Sequence, residues 1–117
     1  MAIPFPRLDR TRAVVMVVDI QERLIPVMWN FAPVEKYARA MIQAGRELGL
    51  PVICTEQYPK GLGHTIASIR ELLPEPPLEK LHFSCGADPG IARALAATGR
   101  KQVIVVGIES HVCVFQT

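Results

Sequence analysis

The sequence lacks any apolar stretch near the roughly 18 to 20 uninterrupted residues that a membrane-spanning helix needs. Its first twelve residues, Met1 to Arg12, mix prolines with charges and hold no apolar segment of the secretory type. Cysteine is scarce. Cys54, Cys85 and Cys113 are odd in number and lack Cys-x-x-Cys spacing, a pattern that predicts reduced thiols in a cytoplasmic protein over a disulfide framework. Charge of one sign is also scarce: the net charge is +2, and the basic residues are scattered with no run or stripe to follow a phosphate backbone. These absences predict no nucleic-acid partner and no membrane. There is no internal repeat, low-complexity tract or interdomain linker, and the proline-rich LPEPPLEK segment reads as a loop. What is present is 117 residues, 50% of them hydrophobic and 21% charged, which predicts one folded domain with a core.

The apolar residues are grouped in two ways. Ala13 to Val18 (AVVMVV), Pro51 to Thr55 and Gln102 to Ile108 (QVIVVGI) are short continuous runs, as in strands covered on both faces of a parallel sheet. Between them the spacing turns helical. Val34, Tyr37, Ala38, Met41, Ala44 and Leu48 share one helix face, with Pro33 in the first turn and Gly49 and Pro51 as the stop. A second helix is capped by Asp88 with Pro89 at its first position, buries Ile91, Ala94 and Leu95, and ends at Gly99. Thr65 to Leu73 reads as a shorter helix and Leu78 to Phe83 as a brief strand. The alternation predicts an α/β fold with a largely parallel sheet and right-handed crossovers. The last strand is followed by the start of a helix and then Thr117. A four-strand open sheet ending there leaves apolar surface that another segment or a partner would have to cover.

In open α/β sheets ligands bind beyond the carboxyl ends of the strands. Three reactive side chains fall at such ends: Asp19 after the first strand, Lys80 in the short third one and Cys113 after the fourth. Gly107 to Cys113 runs from a strand through a turn into a helix, where the positive end of the helix dipole favours a thiolate. A lysine nearby would favour it further, a carboxylate would accept the thiol proton, and the N–H groups of the turn would bind an oxyanion. Taken singly, each residue has a plainer reading. A cysteine after an apolar strand is more often a small buried hydrophobe, an aspartate there a turn former, and a lone lysine a surface charge. Cys54, inside the second run, reads as core, and Cys85 in FSCG as partly exposed without a partner. Phe5, Trp29, Phe31 and Tyr58 are candidates for a small apolar pocket or for packing, and Gln21 and Arg23 for pocket or dimer contacts.

VVDIQ (Val17 to Gln21), TEQYPKGLG (Thr55 to Gly63), EKLHFS (Glu79 to Ser84) and GIESHVCVFQT (Gly107 to Thr117) occur in the order in which similar segments occur in the isochorismatase-like cysteine hydrolases. The sequence most resembles the isochorismatase domain-containing branch, over essentially the whole chain. The resemblance implies a three-layer α/β/α fold with a Rossmann-like parallel sheet in the order 3-2-1-4-5-6. It implies an Asp–Lys–Cys triad of Asp19, Lys80 and Cys113. It also implies a cis peptide between Ile108 and Glu109, and an oxyanion hole made by the N–H groups of Glu109 and Cys113. Gln21, Tyr58 and His111 are the candidate substrate contacts. The expected partners are a small-molecule substrate and further copies of the chain in a homo-oligomer.

Two departures refine this resemblance. Nicotinamidases of the superfamily carry an Asp-x-His metal pair after the second strand, where this sequence has Thr55-Glu56-Gln57-Tyr58-Pro59. Glu56 and His64 do not complete a metal set, so no metal and no cofactor are expected. His64, His82 and His111 are read as loop or pocket residues. The family domain also runs well past the cysteine, adding two further strands and their helices, so residues 1–117 are expected to be its N-terminal portion. True isochorismatases lack the nucleophilic cysteine and cleave a vinyl ether; Cys113 points to acyl chemistry on a C–N bond. A haloacid-dehalogenase-like phosphatase would want an acidic residue where Gln21 stands. A non-catalytic oligomerising or regulatory module of the same fold is the alternative that stays open.

Overall fold

A computed structural model describes residues 5–108 and 113–117. Four strands, Ala13–Val18 (β1), Val52–Gln57 (β2), Leu78–Lys80 (β3) and Gln102–Gly107 (β4), form one parallel sheet in the order β3-β2-β1-β4. This is the four-strand part of the expected order. The unbroken apolar run of β1 has its explanation here: the strand is central, paired on both edges, and buried at all six positions.

Helices lie on both faces. Phe31–Glu47 (α1) and the single turn Ala67–Arg70 (α3) cover a cluster that includes Val15, Val17, Ile42, Cys54 and Ile69. Pro89–Ala97 (α4) covers the other face, where Met16, Val18, Cys85, Ile91 and Cys113 pack together. A further turn, Pro59–Leu62 (α2), follows β2. Asp88 caps α4 as expected, its Oδ1 accepting from the amides of Gly90 at 2.9 Å and Ile91 at 3.2 Å. No helix among the described residues is long and apolar enough to cross a membrane.

Four expectations are corrected. The first helix starts at Phe31, and it buries Ala38, Ile42 and Gly45, while Tyr37 and Leu48 are exposed. The reason is Gly45: a Cβ there would lie 3.0 Å from Cγ2 of Val15, so the helix lies tight against the sheet at a residue without a side chain and is turned by one position. The Thr65 to Leu73 helix shrinks to α3, because Ile66 is extended and Thr65 is tied to Glu56. The strand expected to run to Phe83 stops at Lys80, because the chain bends so that the carbonyls of His82 and Phe83 accept from the Lys80 ammonium. Phe5 and Trp29 do not pack into the core, being 90% and 91% exposed; Phe31 packs partly on it. On β4, Val103 and Val105 stay exposed on the face that α4 covers elsewhere, which is the uncovered apolar surface expected from the sequence.

Candidate active site

The carboxyl ends of the strands converge on Asp19. Here β1 breaks: Asp19 has φ 54, a left-handed conformation that aspartate tolerates better than most residues. Its amide still donates to the Thr55 carbonyl at 3.2 Å, while the Val18 carbonyl accepts from Ile108 at 3.0 Å. That second contact brings the exit of β4 against the exit of β1. It requires glycine at position 107, where a Cβ would fall 2.2 Å from the Val18 oxygen and φ is +143°.

The Asp19 carboxylate is buried, and both of its oxygens are engaged. Oδ1 accepts from the Thr55 hydroxyl at 2.8 Å and Oδ2 from the Lys80 ammonium at 2.9 Å. Lys80 starts from β3, with β2 between it and β1. The register pairs Val18 with Thr55 and Gln57 with Lys80, so the lysine side chain crosses the end of β2 to reach the carboxylate. Its ammonium also donates to Oε1 of Gln57 at 2.6 Å and to the carbonyls of His82 at 3.0 Å and Phe83 at 3.1 Å. Among the described residues, no buried side-chain nitrogen or oxygen lacks a partner.

Cys113 is buried in the same cluster as Val18 and Cys85, at the start of a final helical turn. Its carbonyl accepts from the amide and the hydroxyl of Thr117, at 3.2 and 2.6 Å. The same Thr117 oxygen accepts from the Cys85 amide at 3.1 Å, and the Cys85 thiol reaches the Thr55 hydroxyl at 3.8 Å. Cys85 is therefore fully buried and partnered, not partly exposed, because the turn Cys85–Ala87 tucks its thiol beneath α4. Cys54 is core as expected, and burial pushes its thiol up to about 12.

Structure brings Asp19 and Lys80 into direct contact and places Cys113 in the buried cluster that also holds Val18, the residue before Asp19. Ile108 is buried at the β1–β4 junction. Glu109 and His111, and with them the Ile108–Glu109 peptide and the Glu109 half of the oxyanion hole, lie outside the described residues. Gln21, a candidate substrate contact, is fully buried and faces the scaffold: both amide protons go to the carbonyls of Gln57 and Gly63, and its oxygen accepts from the Gln57 amide. Arg23 donates to the Gly61 carbonyl at 2.8 Å. Tyr58 is half-exposed and borders a cleft of about 460 Å³ together with Lys60, Lys80, Leu81, His82 and Asp88. A larger cleft, about 750 Å³, lies at the opposite end of the strands among Leu50, Val52, Pro76, Leu78 and Thr98, away from this chemistry.

Glu56 and His64 do meet, at 3.2 Å, but the carboxylate serves the fold. Its second oxygen accepts from the amide and hydroxyl of Thr65 at 2.6 and 2.7 Å. Burial pushes its proton affinity up; the hydrogen bonds from Thr65 and His64 outweigh that and hold the carboxyl below the ordinary glutamate range.

Sequence reasoning missed Thr55 and Gln57, which hold the carboxylate and the ammonium. Their spacing is a signal only once β2 is known to run past Thr55 to Gln57: two apart, they share one face of the strand.

The isochorismatase domain model matches residues 13–117. Isochorismatase domain-containing protein 2 of Danio rerio is 38% identical over 110 residues, covering 92% of this chain and 54% of that protein. The structure of a protein named MAR1 ribonuclease from Caenorhabditis elegans superposes with a TM-score of 0.87 at 40% identity, over 96% of this chain and 58% of that one. The Escherichia coli YcaC gene product, described as an octameric hydrolase of unknown specificity, superposes with a TM-score of 0.81 at 25% identity, over 96% and 57%. The chain thus spans little more than half the length of each of these three.

Proposed function

The chain belongs to the isochorismatase family, and on that premise we propose that it carries the catalytic centre of a metal-independent cysteine hydrolase acting on a C–N bond of a small-molecule amide. The observation that carries this reading is the buried contact between Lys80 and Asp19, 2.9 Å long, at the ligand-binding end of the sheet and beside the cluster that holds Cys113. Asp19 takes the proton of the Cys113 thiol, with Lys80 balancing the negative charge that develops. The thiolate sulfur attacks the amide carbonyl carbon, and the oxyanion is received by the N–H groups of Glu109 and Cys113. The C–N bond breaks as Asp19 returns the proton to the departing amine. Water then adds to the thioester, giving the acid and restoring the thiol. Metal independence is supported by the absence of Asp-x-His after β2 and by Glu56, whose oxygens are committed to Thr65 and His64.

Substrate would enter over the end of β3, where Tyr58 borders the smaller cleft, with His111 as a second contact. A homo-oligomer is part of the proposal, supported by the octameric description of the E. coli structure, and so is a cytoplasmic location, which rests on the cysteine pattern of the sequence.

One observation favours a second reading. All the donors of the Lys80 ammonium have protein acceptors, as in a purely structural lock, which suits a non-catalytic module of the same fold. A pH series of thiol alkylation separates the two. The hydrolase reading expects Cys113 to react faster than a model thiol near neutral pH, and a Cys113 that reacts no faster supports the module.

A further inference from the structure

β1 stops pairing with β2 two residues before Gln57, where β2 still needs a partner. The ladder ends at Val18 and Thr55, Asp19 turns left-handed, and the main chain of Ile20 and Gln21 leaves the sheet. Yet β2 continues to Gln57 and must hold its place beside β3. The Gln21 side chain fills the gap. Its carboxamide oxygen accepts from the Gln57 amide at 2.7 Å and its nitrogen donates to the Gln57 carbonyl at 2.9 Å, the same two bonds that a neighbouring strand would make. Its second proton goes to the Gly63 carbonyl at 2.8 Å, tying in the chain that returns after α2. Both glutamines are buried, so these bonds are shielded from competing water.

What Gln21 fixes is the backbone of Gln57, and the Gln57 side chain completes the arrangement. Its nitrogen donates to the Leu81 carbonyl at 3.0 Å, which sets which end of the amide faces inward. The oxygen then accepts from the Lys80 ammonium at 2.6 Å, shorter than any other bond that ammonium makes. An ammonium has three protons, and here four acceptors lie within reach. The geometry therefore ranks them. Gln57 and Asp19 hold the ammonium at 2.6 and 2.9 Å, while the carbonyls of His82 and Phe83, at 3.0 and 3.1 Å, share the remaining proton.

We propose that Gln57, aimed by Gln21, is a positioning residue that holds the Lys80 ammonium on Asp19 and leaves its shared third proton as the one free to swing toward charge developing on the thiol or substrate. This rests on the hydrolase reading only for what the third proton does; the holding role is a statement about Lys80 alone. The choice of an amide has a reason. A carboxylate at position 57 would bring a second negative charge to the ammonium and compete with Asp19 for it, whereas the amide accepts a proton while adding no charge. Gln57 touches no reacting atom; it acts through Lys80.

The test uses Gln57→Leu and Gln57→Met, two apolar replacements of similar length that remove the acceptor. Two readouts are taken on variants whose thermal unfolding shows that they fold. The first is the ¹⁵N–¹H spectrum of the lysine ammonium groups. Of the four lysines, Lys36, Lys60 and Lys101 are exposed and only Lys80 is buried, so its slowly exchanging signal stands apart. The second is the rate of Cys113 alkylation by iodoacetamide at neutral pH, located by peptide mass spectrometry. The proposal expects the Lys80 signal to shift or broaden away in both variants, and alkylation to slow about tenfold as the ammonium loses its aim. An unchanged Lys80 signal in either folded variant overturns the holding role, and a shifted signal with wild-type alkylation overturns its use in catalysis. Should wild-type Cys113 itself react no faster than a model thiol, the hydrolase reading fails, and the Lys80 spectrum still decides whether Gln57 holds the ammonium.

Discussion

The ammonium of Lys80 lies 2.9 Å from Oδ2 of Asp19, although the two residues stand on strands separated by β2. The contact exists because β2 ends in Thr55 and Gln57, small and amide side chains that let the lysine pass over the strand end and give both ions a second partner. Burying two charges costs several kcal/mol in desolvation, and their attraction offsets it only when the remaining donors and acceptors are also satisfied. Here they are.

Removing one ion should therefore be worse than removing both. Lys80→Met is expected to destabilise the fold by about 3–5 kcal/mol, since it strands a buried carboxylate, and adding Asp19→Asn should restore part of the loss. Urea unfolding of the single and double variants measures this, and a single-variant loss below about 1 kcal/mol would place the pair in solvent-screened surroundings instead.

Acid should find Glu56. Its carboxyl is held below the usual glutamate range in the folded chain, so the unfolded chain binds the proton more readily. The stabilisation is complete at pH values above the ordinary glutamate pKa, about 4.3, and is lost as pH falls through the lower folded value. Unfolding midpoints measured from pH 7 to pH 3 should fall in that acid window, and Glu56→Gln should flatten the fall while lowering stability at neutral pH. A midpoint curve that is the same in both proteins would contradict this.

Gly107 sits on the Val18 backbone with a φ that other residues resist. Gly107→Ala is expected to cost about 1–3 kcal/mol in strain, or to push the β4 exit away from β1. Differential scanning calorimetry reads the first, and loss of slow exchange at the Ile108 amide reads the second.

Cys54, pushed up to about 12, should remain a thiol throughout the neutral range. Peptide mapping after iodoacetamide at pH 7 to 8 is expected to find Cys54 unmodified in the folded chain and fully modified in urea.

Much of the fold is written locally. The six apolar residues of β1 announce a doubly covered strand, and Asp88-Pro89 announces the start of α4, because each signal lies within a few neighbouring residues. The buried face of α1 lies one position away from the one that hydropathy marks. Hydropathy follows an arc of apolar side chains, whereas a tight approach to the sheet is made by Gly45, which has no side chain to mark it. Asp19 is legible as a strand-end residue. Lys80 is legible only through family resemblance, since nothing local says that a lysine on a three-residue edge strand points inward. Thr55 and Gln57 escape a local reading because their partners stand 36 and 23 residues away, and because the apolar run of β2 ends at Thr55 while the strand does not. Gln21 looks available to ligand in the sequence, standing two residues after the aspartate. The left-handed turn at Asp19 sends it instead into the gap beside β2.

The central claim is that Cys113 is the nucleophile. The most direct measurement compares amine release from a panel of small amides and ureido compounds by the wild-type chain and by Cys113→Ala at equal folded concentration. The account predicts turnover by the wild type and a loss of roughly 10³-fold or more in Cys113→Ala, with the unfolding temperature nearly unchanged. Turnover retained in Cys113→Ala would contradict it.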